Sequence, residues 1–199
     1  MLDNARLSAL IGEIYDSVPD PARWDDIVGS LCRVTRSEVG TISIIEPRRR
    51  TVFFGSIFGP REITEPLARN YAQHMPFFDV LRNMQEGRVY LLSDMTRMIG
   101  ARGRETLENT VMYREWNRPN GLTDSYCVAL CKTPDEIICM NLVLREDRRP
   151  VSEEDRQLLA TLVPHIMRAG KLGLMLDTIA HQKDVLHQVS TQMANGLII

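Results

Sequence analysis

The sequence predicts an α/β (α+β) fold in which an antiparallel sheet is flanked by helices and a long helix follows at the C-terminal end. The first observation is a pair of apolar runs, residues 124–131 and 136–144, separated by the turn-forming cluster 132–135. The second is that both runs are apolar on both faces, which is typical of strands in the middle of a covered sheet. The third is a helical pattern that starts at Ser152 and continues almost to the last residue.

Helical spacing of apolar residues predicts the helices before this hairpin. It indicates helices over residues 3–18, 62–74 and 102–116, with a shorter one over 77–84. A further helix begins at residues 20–21, because aspartate is a good N-cap and proline suits the first helical position.

Three more segments have the composition of strands. Residues 38–46 and 50–58 form a predicted hairpin, and residues 87–92 form a predicted edge strand. The basic run at residues 48–50 lies at the tip of that hairpin. We interpret it as a solvated turn rather than a phosphate-binding patch.

The long C-terminal helix changes character along its length. Ser152 and Asp155 resemble a capping box at its start, and a broad apolar face follows. Beyond Gly170 the apolar face narrows to a heptad seam, which predicts a parallel dimer stalk; the alternative is a helix that packs within its own chain. The seam residues are Leu172, Met175, Ile179, Gln182, Leu186, Val189 and Met193.

This change of pattern gives the predicted domain organisation. Residues 1–171 form a sensor-like domain, and residues 172–195 form a coiled-coil signalling helix. Asn-Gly is a helix stop, and the apolar residues after it resemble the start of a strand. We therefore interpret residues 196–199 as the beginning of a downstream domain.

Composition and motifs exclude several functional classes. The net charge is −2 and the pI is near 6.1, so the chain has no field that attracts nucleic acid. No stretch has the length of a membrane span and the N-terminus does not resemble a signal peptide, which predicts a cytoplasmic protein. Dinucleotide, P-loop and zinc-protease motifs are absent, so we expect no enzyme, cofactor or metal site.

Three of the four cysteines lie in the central hairpin. Cys127 and Cys131 are about 13 Å apart along one strand, too far for a disulfide. The predicted turn places Cys131 opposite Ile138 and Cys139 opposite Leu130, so Cys131 and Cys139 face opposite layers. Their spacing matches no zinc site, and we interpret the cysteines as buried, unreactive thiols.

One set of aromatic and polar residues predicts a small-molecule cavity. Apolar walls with a few hydrogen-bonding groups are what such a cavity needs. The alternative is that these rings only fill the core. The candidate ligand-binding residues are Tyr71, Phe77, Phe78, Asp79, Trp116, Asp124 and Tyr126.

Three stretches of the chain together resemble the amino-terminal sensor regions of LuxR-type helix-turn-helix transcriptional regulators. They are residues 14–24 (Ile-Tyr-Asp, then Asp-Pro-Ala-Arg-Trp), residues 118–124 (Arg-Pro-Asn-Gly-Leu-Thr-Asp) and residues 152–165 (Ser-Glu-Glu-Asp-Arg to Leu-Val-Pro-His). The resemblance implies a GAF/PAS-like fold, a homodimer, and DNA contact only through a downstream domain. Members that bind acyl-homoserine lactones carry a tryptophan and a tyrosine before an Asp-Pro pair. Only Tyr71 and Asp79 match that pattern here.

Three functional hypotheses remain open from the sequence. The leading one is a ligand-sensing regulatory domain that binds an unknown small molecule between sheet and helices and signals through a dimer stalk. The second is a ligand-free dimerisation or interaction module. The third is a thiol-based reductase of the GAF type, which requires an exposed cysteine with a lowered pKa.

Overall fold

A computed structural model describes residues 4–147 and 151–196, with side chains described as far as residue 176. The chain folds into one antiparallel sheet with helices on both faces. The strands are β1 (Val39–Glu46), β2 (Thr51–Phe58), β3 (Val89–Leu91), β4 (Leu122–Lys132) and β5 (Ile137–Arg145). The helices are α1 (Asn4–Asp16), α2 (Trp24–Thr35), α3 (Arg61–Pro66), α4 (Phe78–Asn83), α5 (Leu92–Ile99), α6 (Gly103–Glu108) and α7 (Glu153–Gly196).

The five strands lie in the order β2-β1-β5-β4-β3, and every neighbouring pair is antiparallel. The predicted central hairpin is confirmed: β5 is the middle strand and β4 lies beside it. Two-sided apolar strands need cover on both faces, and these strands have it. The predicted mixed fold with a long C-terminal helix is therefore confirmed.

One face of the sheet, called here the helix face, is covered by α1, α2 and α7. Tyr126, Met140 and Leu142 are fully buried there beneath α2 and α7. Helix α2 approaches β1 so closely that a Cβ on Gly40 would come within 2.5 Å of the Cys32 sulfur. Ser56 on β2 donates a 2.6 Å hydrogen bond to Asp25 on α2, which fixes the helix against the outer strand.

The opposite face, called here the cavity face, is covered by the chain between β2 and β4. We predicted one regular helix over residues 62–74, but its hydrogen-bonding pattern changes along its length. Pro66 has no amide hydrogen to donate, and the next five residues, Leu67–Tyr71, form a π-helical turn. A 3₁₀ turn, Ala72–His74, ends the segment.

The region predicted as a single helix over residues 102–116 is divided into two. Helix α6 ends at Glu108, and a second, π-helical segment runs from Tyr113 to Asn117. Thr110 causes the division, because its hydroxyl donates to the Leu107 carbonyl and accepts from the Tyr113 amide. A threonine that caps in this way begins a new helical segment rather than continuing the old one.

The sequence analysis missed α5. The predicted edge strand is confirmed as β3, but α5 follows it directly. The carboxylate of Asp94 accepts the Leu91 amide hydrogen at 3.0 Å, which stabilises the first turn. Helix α5 is short and adds to the wall of the cavity face.

The register of the central hairpin differs from the prediction by one residue. Cys131 pairs with Ile138 as expected, but Cys139 pairs with Ala129 rather than with Leu130. A β-bulge at Leu130 inserts one extra residue into β4. Cys139 therefore lies on the same face as Cys127.

Helix α7 starts on the helix face and continues through Gly170 and Gly173, where the sequence predicted a boundary. Ser152 accepts the Asp155 amide hydrogen at 3.0 Å, as expected of an N-cap. Of the predicted seam, Leu172 and Met175 are exposed. The side chains of Ile179, Gln182, Leu186, Val189 and Met193 lie outside the described part of the chain. No helix among the described residues combines the length and the hydropathy needed to cross a membrane.

Candidate functional site

A cavity of about 100 Å³ lies between the cavity face of the sheet and the segments that cover it. On the same measure a single water needs about 10–15 Å³, so the cavity has room for a compact organic molecule. Its floor is the middle of the sheet, where β1, β5 and β4 lie side by side. Its walls come from the chain after α3 and from α4, α5, α6 and the π-helical segment that follows α6.

The walls of the cavity are apolar except at Asn117, which lies at the end of the segment that follows α6. Leu67, Phe77, Leu81, Met95 and Leu107 contribute buried side chains from four different segments. Each belongs to a buried cluster that packs on the sheet, so the walls are parts of the core rather than mobile loops. Such a lining favours an apolar ligand surface.

Trp116 is fixed by a specific contact. Its indole N–H donates a 2.8 Å hydrogen bond to the Ile63 carbonyl, and the ring is 1% exposed. This carbonyl lies in α3, where the irregular helical pattern begins. The hydrogen bond therefore holds the α3 segment and the segment after α6 together on one side of the cavity.

The floor carries polar groups at its centre. Thr41 on β1 pairs directly with Asn141 on β5, and Asn141 pairs with Cys127 on β4. Ser43 and Ser125 lie beside this row, also on the cavity lining. Ser43 donates a 3.4 Å hydrogen bond to the Cys139 carbonyl. Among the described residues, no protein group is hydrogen-bonded to the side-chain amide of Asn141 or to the Thr41 hydroxyl.

Asp124 is the acidic group of the lining. Its carboxylate accepts the Ser125 amide hydrogen at 2.8 Å, and the backbone amide of Leu92 also acts on it. Burial raises the pKa of Asp124 above its ordinary value, and the backbone amides of Ser125 and Leu92, with the charge of Arg104, act in the opposite direction. The carboxyl group of Asp124 is thus already hydrogen-bonded within the protein.

Two thiols meet on the floor. The sulfurs of Cys127 and Cys139 are 3.3 Å apart, and both residues are buried. The hydrogen bond between them and their burial raise the pKa of Cys127 well above its ordinary value. A thiol with a raised pKa is a poor nucleophile, which disfavours the reductase hypothesis at this position. The prediction of buried cysteines is wrong for Cys131, which is exposed. It pairs with Ile138 and faces the other side of the sheet from Cys139.

The structure brings three of the seven predicted ligand-binding residues to the cavity: Phe77, Trp116 and Asp124. Tyr71 is half-buried behind the wall, where it packs with the cluster around Trp116. Phe78 is buried in the neighbouring core, with the guanidinium of Arg50 4.7 Å from its ring centre.

The remaining two predicted residues lie away from the cavity. Asp79 is exposed on α4. Tyr126 is on the helix face of the sheet, because side chains alternate along β4 and its neighbours Ser125 and Cys127 face the cavity. Its hydroxyl donates to Asp155 and accepts the Ser152 amide hydrogen at the start of α7. Ligand contact by any of the seven stays a prediction.

The sequence analysis missed the polar floor, although a signal was present. Asn141 is the one polar residue in an otherwise apolar run from Ile137 to Leu144. Thr41 and Ser43 alternate with apolar residues in β1. A polar residue at a position that should face a covered layer needs a partner there, and this is the pattern of a ligand-facing group.

Comparison with known proteins defines the fold. No protein-family model matches this chain, and no curated protein matches its sequence. The ligand-binding domain of VqsR from Pseudomonas aeruginosa superposes with a TM-score of 0.64 and 18% identity, over 87% of this chain and 97% of that one. A GAF domain from Pseudomonas syringae pv. tomato gives 0.52 and 13%, over 88% and 93%. The phycoerythrobilin-bound GAF domain of a cyanobacterial phytochrome gives 0.56 and 11%, over 89% and 99%.

These matches agree on the same architecture over nearly the whole of each domain. At such low identity the likeness shows the fold alone, and that fold is GAF-like. The predicted GAF-like fold is therefore confirmed. The matched structures are sensor and ligand-binding domains.

Proposed function

We propose that this chain is the ligand-sensing domain of a LuxR-type transcriptional regulator. It binds a small molecule between the sheet and the helices of the cavity face, and it signals through α7 in a homodimer. DNA is contacted by a separate helix-turn-helix domain, and the protein works in the cytoplasm. The observation that carries the proposal is the cavity itself, which has apolar walls and a polar floor at the centre of a covered sheet.

The fold supports this proposal. The superposition with the VqsR ligand-binding domain, which belongs to a LuxR-type regulator, extends over 97% of that domain. The three sequence stretches that resemble LuxR-type sensor regions connect α1 to α2, lead into β4 and begin α7. They are thus spread over the elements that surround the sheet.

The position of β4 supports a route from ligand to output. Ser125 and Cys127 face the cavity, and Tyr126 between them holds the first turn of α7 on the other face. A ligand that shifts β4 must therefore alter the packing of α7. A ligand changes an equilibrium only through differential contacts with two states, and the proposal assigns those contacts to β4.

The exposed side chains of α7 support the dimer. Leu172, Leu174, Met175 and Leu176 are 46–62% exposed. Such a cluster of large apolar side chains on one helix is typical of an interface. A second copy of the same helix would cover it.

A thermal-shift screen of a fragment library tests the proposal. A ligand that binds only the native state must raise the melting temperature of the protein. Ala72 lines the cavity and is nearly buried, so Ala72→Leu fills part of the space. Ala160 is exposed on α7, so Ala160→Leu is the matched control.

We expect fragments that raise the melting temperature of the wild type and of Ala160→Leu but not of Ala72→Leu. Equal shifts in all three proteins would place the ligand outside the cavity. No shift with any fragment would contradict a sensing function and would favour the ligand-free interaction module.

A further inference from the structure

We propose that the cavity selects a compact, uncharged ligand whose carboxamide-like group binds Asn141 and Thr41 and whose apolar remainder contacts the walls. This inference rests on the proposed ligand-binding function and adds the chemical class of the ligand. It follows from the charges, the hydrogen-bonding groups and the size of the site.

The lining excludes an anionic ligand. Among the described residues, no lysine, arginine or histidine lines the cavity. A carboxylate or phosphate placed there would lose its hydration without gaining a positive partner. It would also lie near the Asp124 carboxyl group, which repels it.

The lining does not favour a cationic ligand either. Asp124 is the one carboxylate among the described lining residues, and it already accepts the Ser125 amide hydrogen. The positive charge of Arg104 also acts on it. A ligand cation would therefore compete with groups that the fold has already placed.

The floor matches a group that both donates and accepts hydrogen bonds. The side-chain amide of Asn141 has two donor hydrogens and one carbonyl oxygen, and the Thr41 hydroxyl can take either role. The two residues are direct cross-strand partners, so their side chains project side by side into the cavity. A carboxamide carries both a donor and an acceptor and can therefore hydrogen-bond to both residues.

The walls fix what the rest of the ligand must be. The buried side chains of Phe77, Met95 and Leu107 surround the space above the floor. They offer no hydrogen-bonding group, so the ligand surface they contact is apolar. A cavity of about 100 Å³ suits a molecule the size of a single ring.

Three probes of nearly identical planar shape test the class: benzamide, benzoate and benzamidinium, which carry charges of 0, −1 and +1. Their affinities for the wild type are compared by isothermal titration and by the change in melting temperature. We expect benzamide to bind at least tenfold more tightly than either ion. Binding of either ion as tight as that of benzamide would overturn the class while leaving the cavity as a ligand site.

A substitution on the floor tests the assigned contact. Asn141→Leu keeps the branching and the number of side-chain heavy atoms and removes the amide, so it should weaken benzamide binding at least tenfold while toluene still binds. Asn70→Leu alters an exposed asparagine and is the control. Benzamide affinity that survives Asn141→Leu would overturn the role of Asn141. The probe series on the wild type does not depend on how well this variant folds.

The outcome also separates this inference from the proposed function. If none of the three probes binds while other fragments of the library do, the ligand class is wrong and the sensing function stands. If neither the probes nor any fragment binds, both fail.

Discussion

The hydroxyl of Tyr126 in β4 donates a 3.3 Å hydrogen bond to the carboxylate of Asp155 in α7. Both residues are buried, and the same hydroxyl accepts the Ser152 amide hydrogen at 2.9 Å. Burial raises the pKa of Tyr126 to about 12, so the phenol keeps its proton and remains a donor. This pair links the start of α7 to the strand whose other face forms part of the floor of the cavity.

Removing the Tyr126 hydroxyl should weaken the contact between β4 and the start of α7. Tyr126→Phe is expected to lower the free energy of unfolding by about 1–3 kcal/mol, because buried groups at the start of α7 lose a hydrogen-bonding partner. Urea unfolding followed by circular dichroism measures the change. Tyr71→Phe, at a half-buried tyrosine behind the cavity wall, is the control and should change stability by less than about 0.5 kcal/mol. Equal losses of stability in the two variants would show that the Tyr126 hydroxyl does not stabilise the start of α7.

Asp124 should make stability depend on pH. Burial raises the pKa of Asp124 in the folded protein. Its contribution to the free energy of unfolding is therefore fully present below about pH 4, the pKa of an aspartate in the unfolded chain, and is lost as the pH rises through the folded pKa. Asp124→Asn removes that loss and keeps an oxygen for the Ser125 amide. We expect the variant to be more stable than the wild type at pH 7 and equal to it at pH 3.

Urea denaturation at the two pH values checks this prediction. Asp79→Asn, at an exposed aspartate in the first turn of α4, is the control and should give no gain at pH 7. A wild type as stable as Asp124→Asn at pH 7 would show that burial does not disfavour the charged form of Asp124.

The thiols should differ sharply in reactivity. Cys131 is exposed, whereas Cys32, Cys127 and Cys139 are buried. Burial raises the pKa of Cys32 to about 12, and the contact between Cys127 and Cys139 raises the pKa of Cys127. In the native protein we expect rapid reaction of Cys131 alone with a disulfide reagent, followed by mass spectrometry. Rapid labelling of Cys127 or Cys139 would reopen the reductase hypothesis.

The exposed apolar cluster of α7 should mediate self-association. Met175 is 62% exposed, so Met175→Asp places a charge at the centre of the proposed interface without disturbing a packed core. We expect the substitution to weaken dimerisation at least tenfold in sedimentation velocity. Ala160→Asp, which introduces the same charge at an exposed position of α7 well before the apolar cluster, is the control. A wild type that sediments as a monomer at all concentrations would contradict the dimer.

Much of the fold could be predicted from the sequence because its strongest patterns are local. The two-sided apolar runs of β4 and β5 place them at the centre of a covered sheet, and the structure agrees. The start of α7 at Ser152 follows from capping chemistry. The bulge at Leu130 could not be predicted, since a single extra residue leaves the apolar pattern nearly unchanged while moving Cys139 to the other face.

The candidate site was only partly predictable, because aromatic residues give a strong signal for burial and a weak one for position. Phe77 and Trp116 reach the cavity, but Tyr126 faces away because alternation along β4 places it under α7. Asn141 carried the better signal: a lone polar residue in an apolar strand. Which of the two covered faces the Asn141 side chain points to depends on how the helices pack on the sheet. That packing is tertiary and cannot be read from the local pattern.

Hydrogen exchange measured by mass spectrometry, with and without the tightest-binding fragment of the screen, tests most directly whether the cavity communicates with α7. In the wild type, bound fragment should slow amide exchange both in the cavity-lining segments and in the first turns of α7. In Tyr126→Phe it should slow exchange in the cavity-lining segments alone. Exchange in α7 that is unaffected by fragment in the wild type would contradict the account.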